Sequence, residues 1–219
     1  MLYIVGTPIG NLEDITLRAL KMLKEGDYIF AEDTRRALKL LNFFSIKKPL
    51  DSFNEHSSKR KLEKISKLLK EGKNVVYLSD AGMPVIADPG AELVNLCYKN
   101  NIPWDVIPGV SALTTAVTAS GFYGNRFLFL GFMPRDKKRR RLLRSIKELD
   151  VEIFVFFENP ERLNKTLVDI QNILGNVEIF IARELTKVHQ EYFKGIVSEA
   201  LIRFSEKTKG EITVVLKKI

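Results

Sequence analysis

Three short segments carry residue types suited to holding a small, partly polar ligand. They are Gly6-Thr7-Pro8-Ile9-Gly10-Asn11, Ser79-Asp80-Ala81-Gly82-Met83-Pro84-Val85-Ile86, and Pro108-Gly109-Val110-Ser111-Ala112. Glycine lets the backbone approach a bound molecule or take positive φ, proline stiffens a loop, and Asp80 supplies an acceptor for hydroxyl or amine groups. Each segment follows an apolar run of strand type, and ligands in open α/β sheets bind beyond the carboxyl ends of such strands. A tight turn into a helix, capped by Asp88 just after the second segment, would use the same residues. Recurrence of the design at three strand ends favours one shared pocket. None of the three reads GxGxxG or GxxxxGK[ST], so dinucleotide and nucleoside triphosphate binding have no motif support.

A second kind of chemistry is suggested by residues 135–144, of which seven are Lys or Arg and one is acidic. Charge runs are usually solvated faces. Here Asp136 reads as an N-cap, which puts residues 137–141 in the first helical turns, where the macrodipole disfavours each cation by roughly 0.3–1 kcal/mol. Phosphate groups would offset that cost. Arg140, Arg144 and Lys147 are spaced to share one face, opposite Leu142, Leu143, Ile146 and Leu149. The formal net charge of +8 and a pI near 9.5 likewise favour an anionic partner, nucleic acid first.

The elements that must position these segments are legible as alternating patterns. Strand-like runs at LYIV, DYIFAE, NVVYL and WDVI alternate with helical patterns, which argues for a parallel α/β sheet. Residues 75–78 are uniformly apolar and β-favouring, the mark of a strand covered on both faces. Residues 106–125 carry no charge, but Pro108, Gly109, Gly121 and Gly124 argue against a membrane span, and a buried helix is expected there. The glycine-rich GFYGN places a domain boundary at residue 121, giving domains 1–120 and 121–219. The second domain repeats the alternation with a basic helix over 137–149. Its segment EYFKG and the last strand EITVVLKK are expected to pair antiparallel, making that sheet mixed.

At 219 residues with 45% hydrophobic composition the chain can bury substantial cores. Its single Cys97 lies at helical spacing with Leu93 and is expected in the core. With two histidines and no Cys/His cluster, no metal site is expected. No secretory leader is recognisable before the first strand, so a cytoplasmic location is expected.

Taken in order, GTPIGNLEDIT, AEDTR, Asn54-Glu55, SDAGMPVIADPG, PGVSA, GFMP, ARELTK and KGE resemble the ribosomal RNA small subunit methyltransferase I family of tetrapyrrole-methylase-like enzymes. The resemblance implies two α/β domains, parallel then mixed, with S-adenosylmethionine in the cleft between them, and a homodimer. It also implies 2'-O-methylation of a cytidine ribose in the decoding region of 16S ribosomal RNA. Carried over by position, it implies a cofactor site of Pro8, Ser79, Asp80, Ala81, Gly82, Met83, Val85, Ile86, Ser111 and Ala112. From the second domain it adds Phe157, Ala182, Leu185, Gly210, Glu211 and Ile212.

A ribose hydroxyl is a poor nucleophile until an acceptor draws off its proton. Glu32, Asp33 and Arg35, with Glu55, are the catalytic candidates; Asp33 and Thr34 also read as helix caps, as do Ser57 and Ser58. Asn54, Arg135, Arg140, Arg144, Arg183 and Lys187 are the substrate-binding candidates. For Arg183, Glu184 and Lys187 a structural ion-pair set is the alternative, and His56 reads as a surface loop residue. Two rival readings are a small-molecule methyltransferase acting on a tetrapyrrole, whose GxGPGD-type first loop is missing here, and a non-catalytic RNA-binding assembly factor.

Overall fold

The structure is a computed structural model and describes residues 1–54, 57, 59–86 and 90–218. The chain divides by its contacts into two units, Met1–Ser111 and Ala112–Ile219.

The first unit is a five-stranded parallel sheet in the order β3-β2-β4-β1-β5. Its strands are β1 (Leu2–Val5), β2 (Tyr28–Ala31), β3 (Leu50–Ser52), β4 (Val75–Leu78) and β5 (Trp104–Ile107). The uniformly apolar run of β4 is fully buried because both faces are covered. Val76 and Leu78 point into one core with Ala19 and Leu23 of α1 (Leu17–Glu25) and Ala37, Leu40 and Leu41 of α2 (Thr34–Phe43). Val75 and Tyr77 point into the other, with Ile65 and Leu69 of α3 (Lys59–Lys70) and Leu93 and Cys97 of α4 (Ala91–Asn100). Cys97 is a core residue, as its spacing suggested, and burial pushes its thiol pKa up. Parallel pairing throughout sends the loops after β1, β2, β3, β4 and β5 to the same edge of the sheet.

The second unit is a mixed sheet in the order β6-β7-β10-β8-β9. Its strands are β6 (Phe127–Phe132), β7 (Ile153–Glu158), β8 (Glu178–Arg183), β9 (Glu191–Ile196) and β10 (Ile212–Lys217). The mixed character matches the expectation, but the pairing does not. EYFKG, in β9, pairs with β8 at the edge, while β10 inserts between β7 and β8, antiparallel to both. β10 is buried at five of its six positions, Thr213 included, as a central strand covered on both faces is.

Helices α6 (Asp136–Lys147), α7 (Leu163–Leu174) and α8 (Val197–Arg203) share a core with Phe154, Phe156, Ile179, Ile181 and Val214. Helix α5 (Ala112–Ser120) packs on β10 and so belongs with the second unit, which places the division ahead of the glycine-rich segment at 121–125. It is not the buried helix its lack of charge suggested: only Ala116 and Ser120 are buried, one turn apart, while Thr114 and Thr118 are exposed. No helix among the described residues is long and apolar enough to cross a membrane.

Candidate active site

The first-domain loops come together at the carboxyl edge of the parallel sheet. Thr7 and Gly82 form an isolated antiparallel bridge, with Thr7 N–H donating to Gly82 O at 2.9 Å and Gly82 N–H to Thr7 O at 3.1 Å. Gly82 takes φ +79°, the left-handed region that glycine enters freely. Thr7 and Ser79, both buried, direct their hydroxyls at the same carbonyl, at 3.5 and 3.4 Å. The third loop joins through Gly109, whose N–H donates to Met83 Sδ at 3.2 Å. A Cβ on Gly109 would lie 2.9 Å from the Gly6 carbonyl carbon, so the two backbones are in direct contact. Pro8 and Pro84 are buried in this junction, Met83 is half-buried and Ala81 is exposed. Ser111 and Ala112, both half-buried, carry the third loop into α5.

Val85 and Ile86 continue the middle loop with 40% and 43% exposure, an unusual amount for adjacent aliphatic side chains. Val85 has φ +75°. A β-branched residue in that region is a true outlier, and such strain collects at ligand-binding segments. The expected helix cap Asp88 lies outside the described residues, as do Glu55, His56 and Ser58.

Asp33 is the N-cap of α2, its Oδ1 accepting from Arg35 N–H at 2.8 Å. The Arg35 side chain grips the same carboxylate from Nε at 3.0 Å and Nη2 at 2.6 Å. These bonds to Arg35 lower the Asp33 pKa to about 2. Asp33 is therefore ionised but weakly basic near neutrality, fitted to accept a hydrogen bond rather than to hold a proton. Arg35 is otherwise exposed. Asp80 does not point into open space: its Oδ1 accepts from Asp33 N–H at 2.9 Å and its Oδ2 lies 3.5 Å from Arg36 Nε. Glu32 Oε2 in turn accepts from Asp80 N–H at 3.4 Å. Asn54 N–H donates to Ser57 Oγ at 2.8 Å, just after Phe53, which is buried edge-on to Tyr77.

In the second unit, Arg183, Glu184 and Lys187 are all ion-paired, in two separate groups. Arg183 Nε donates to Glu191 Oε2 at 2.8 Å. Lys187 Nζ reaches Glu184 Oε1 at 2.8 Å and Glu211 Oε2 at 3.2 Å. Burial would raise the Glu184 pKa, but the Lys187 ammonium and the Glu211 N–H outweigh it and hold it low. Glu184 and Thr186 take φ +53° and +63° on either side of buried Leu185. Gly210 faces them: a Cβ there would meet the Glu184 carboxylate at 2.6 Å. Ala182 and Ile212 are buried, and half-buried Phe157 stacks edge-on with Phe129 and Phe132.

The basic helix departs from its expected layout. Arg135, not Asp136, is the N-cap, and Asp136 is the first helical residue, with φ +45°. The inward stripe is Arg139, Leu143 and Ile146, and Leu149 lies past the helix end, 40% exposed. Arg139 is buried against Asp169 of α7, with Nη2 and Nε at 2.6 and 2.7 Å. Arg140 is half-buried and also leans to Asp169, at 3.7 Å, while Arg144 and Lys147 of the expected face are exposed. Lys137, Lys138 and Arg141 are exposed too, and Lys137, Arg141 and Arg144 stand at helical spacing. The spacing of Arg139 with Leu143 and Ile146 was the signal for a buried arginine. A buried set around Glu158, which accepts from Arg162 at 2.7 Å and from Thr166, had no sequence signal.

The family model for Tetrapyrrole (Corrin/Porphyrin) Methylases matches residues 1–201. Two solved structures share the fold. A diphthine synthase superposes with TM-score 0.78 at 13% identity, covering 99% of this chain and 89% of that one. A uroporphyrin-III-C-methyltransferase from Thermus thermophilus does so with TM-score 0.69 at 19% identity, covering 99% and 94%. Two α/β units of this topology, with Gly/Pro loops joined at one sheet edge, define a tetrapyrrole-methylase-type protein that uses S-adenosylmethionine.

Sequence relatives narrow the class. The ribosomal RNA small subunit methyltransferase I of Thermotoga maritima is 61% identical over 216 residues, 98% of this chain and 97% of that protein. The one from Bacillus subtilis is 42% identical over 219 residues, 99% of this chain and 75% of that protein. The chain belongs to the ribosomal RNA small subunit methyltransferase I family.

Proposed function

We propose that the protein transfers the methyl group of S-adenosylmethionine to the 2'-hydroxyl of a cytidine in the decoding region of 16S ribosomal RNA. The observation that carries this reading is the 61% identity, over nearly the whole of both chains, to a relative of that name. The cofactor brings a methyl group already activated by its positive sulfur. What the chain's own residues do is bind, orient and accept a proton.

The joined loops suit such a cofactor. Ser79, Ala81 and Met83, with Pro8 and Ser111, offer backbone groups, Gly82 ties their loop to Thr7, and the exposed Val85 and Ile86 offer apolar surface to a purine or ribose. On this reading Glu32, Asp33 and Arg35, beside Asp80, receive the ribose. Asp33 accepts a hydrogen bond from the hydroxyl, and Arg35 steadies the adjoining phosphate. Lys137, Arg141 and Arg144, with Arg135, hold the RNA backbone by neutralising its phosphates.

The reading includes a homodimer in the cytoplasm. Edge strand β6 leaves Phe127, Leu128 and Phe132 exposed, apolar surface that a second copy would cover. Methyl transfer from labelled cofactor to isolated small subunits, with the modified nucleotide mapped, tests the function. Label on a base, or on no RNA at all, refutes it.

A further inference from the structure

The ladder between β2 and β4 ends with Ala31 opposite Leu78, extended by one bond from Glu32 N–H to Leu78 O at 3.1 Å. Past that point one chain enters α2 and the other enters the loop at 79–86. Two carboxylates continue the pairing where backbone no longer can. Asp80 Oδ1 takes Asp33 N–H, and Glu32 Oε2 takes Asp80 N–H, so each segment lends a side chain to the other's backbone. The second oxygen of Asp80 is directed at Arg36. Both oxygens of Asp80 are thus turned to the start of α2, whose first N–H groups have no partner within the helix.

We propose that Asp80 is a positioning residue: its carboxylate locks the 32–36 segment to the 79–86 loop, and does not bind the cofactor. This rests on the methyltransfer reading given above, in which the first segment receives the acceptor and the second holds the donor. Displacement at a methyl group needs the attacking oxygen in line and close, and a misplacement of about 1 Å costs about a hundredfold in rate. A bracket between the two segments fixes that distance from the protein side. It also explains why a carboxylate stands at this position, since a hydrogen bond from an amide to an ionised acceptor is about twice as strong as one to a neutral acceptor.

The test compares Asp80→Ala with Asp80→Asn, whose Oδ1 still accepts from Asp33 N–H. Three readouts are taken: affinity for S-adenosylmethionine alone by calorimetry, amide hydrogen exchange at residues 33–36, and kcat/KM on small subunits. Asp80→Ala should leave cofactor affinity within about twofold. It should speed exchange at 33–36 and lower kcat/KM by about 10–100-fold, as expected for removal of one charge-assisted hydrogen bond. Asp80→Asn, with a neutral acceptor, should recover part of both. Cofactor affinity reduced tenfold or more with exchange at 33–36 unchanged would overturn the proposal and make Asp80 a cofactor ligand. Should Asp80→Ala not fold, Glu32→Ala reads the other arm. Faster exchange at the Asp80 amide supports the bracket, and unchanged exchange there overturns it. If the unaltered protein transfers no methyl to RNA, the functional reading fails by itself, while exchange and calorimetry still decide the bracket.

Discussion

Replacing Gly109 with alanine should separate two loops that the fold holds in backbone contact. The new Cβ would lie 2.9, 3.0 and 3.0 Å from the carbonyl carbon, Cα and oxygen of Gly6, none of which can swing aside as a side-chain tip would. Ordinary carbon contacts are about 3.5–4.0 Å, so the loops after β1 and β5 must part by about 0.5–1 Å. That strains the bond from Gly6 N–H to Ile107 O, now 3.0 Å, and the bond from Gly109 N–H to Met83 Sδ. Overpacking of this kind costs about 1–3 kcal/mol. At about 2–4 °C per kcal/mol for a chain of this size, the melting temperature should fall by about 2–12 °C. Calorimetry should show weakened binding of S-adenosylmethionine alongside. Gly72→Ala is the control: Gly72 has positive φ, +79°, which Gly109 does not, and nothing lies within 4 Å of its would-be Cβ. It should lose only about 1–2 kcal/mol, from the left-handed backbone, and keep its cofactor affinity. If Gly109→Ala melts and binds cofactor as the unaltered protein does, the joined-loop account of the site is wrong.

Arg139→Leu strands the Asp169 carboxylate in the core and should cost about 3–5 kcal/mol by chemical denaturation, softened where Arg140 moves in; a cost below about 1 kcal/mol would contradict the buried pair. Charge reversal of Arg141 and Arg144 together should weaken RNA binding and flatten its log–log salt slope by about 0.7–0.9 for each phosphate left unneutralised, and an unchanged slope would remove α6 from the interface. The Asp33 pKa is lowered to about 2 from the ordinary 3.8, so its cap and ion pair stabilise α2 fully above about pH 4 and are lost as pH falls through about 2. An NMR titration of the carboxyl reads this directly. Because Asp33 stays ionised, Asp33→Asn should lower the rate without moving the acid limb of the pH–rate profile above about pH 5, and a moved limb would make Asp33 the titrating base.

The parallel unit was readable at β1, β2 and β4, whose covered faces give short apolar runs between turn residues; edge strand β3, the half-buried Leu50-Asp51-Ser52, has no such run and was not expected. The second sheet was readable only in part. β9 alternates between exposed and half-buried positions as an edge strand does, and β10 is buried at all but its last position, yet nothing local says which strand stands beside which. Pairing there is decided by long-range competition for the central slot, which β10 occupies although β7 carries the longer apolar run. The buried arginine of α6 has a similar cause. Arg139 stands at helical spacing with Leu143 and Ile146, but the acid that receives it lies on a different helix. Long-range partners of this kind, like Asp80 for the Asp33 amide, leave no trace in local spacing.

The position of β10 has a consequence for biosynthesis. It is the middle strand of its sheet and the last of the five to be translated, so β7 and β8 emerge from the ribosome with their inner edges unpaired. The first unit has all of its strands by Ile107 and can close while synthesis continues. The second must hold four strands open, with a slot between β7 and β8, until residues 212–217 arrive. During that interval its exposed strand edges are open to pairing with other chains, which makes the second unit the aggregation-prone half of a nascent molecule.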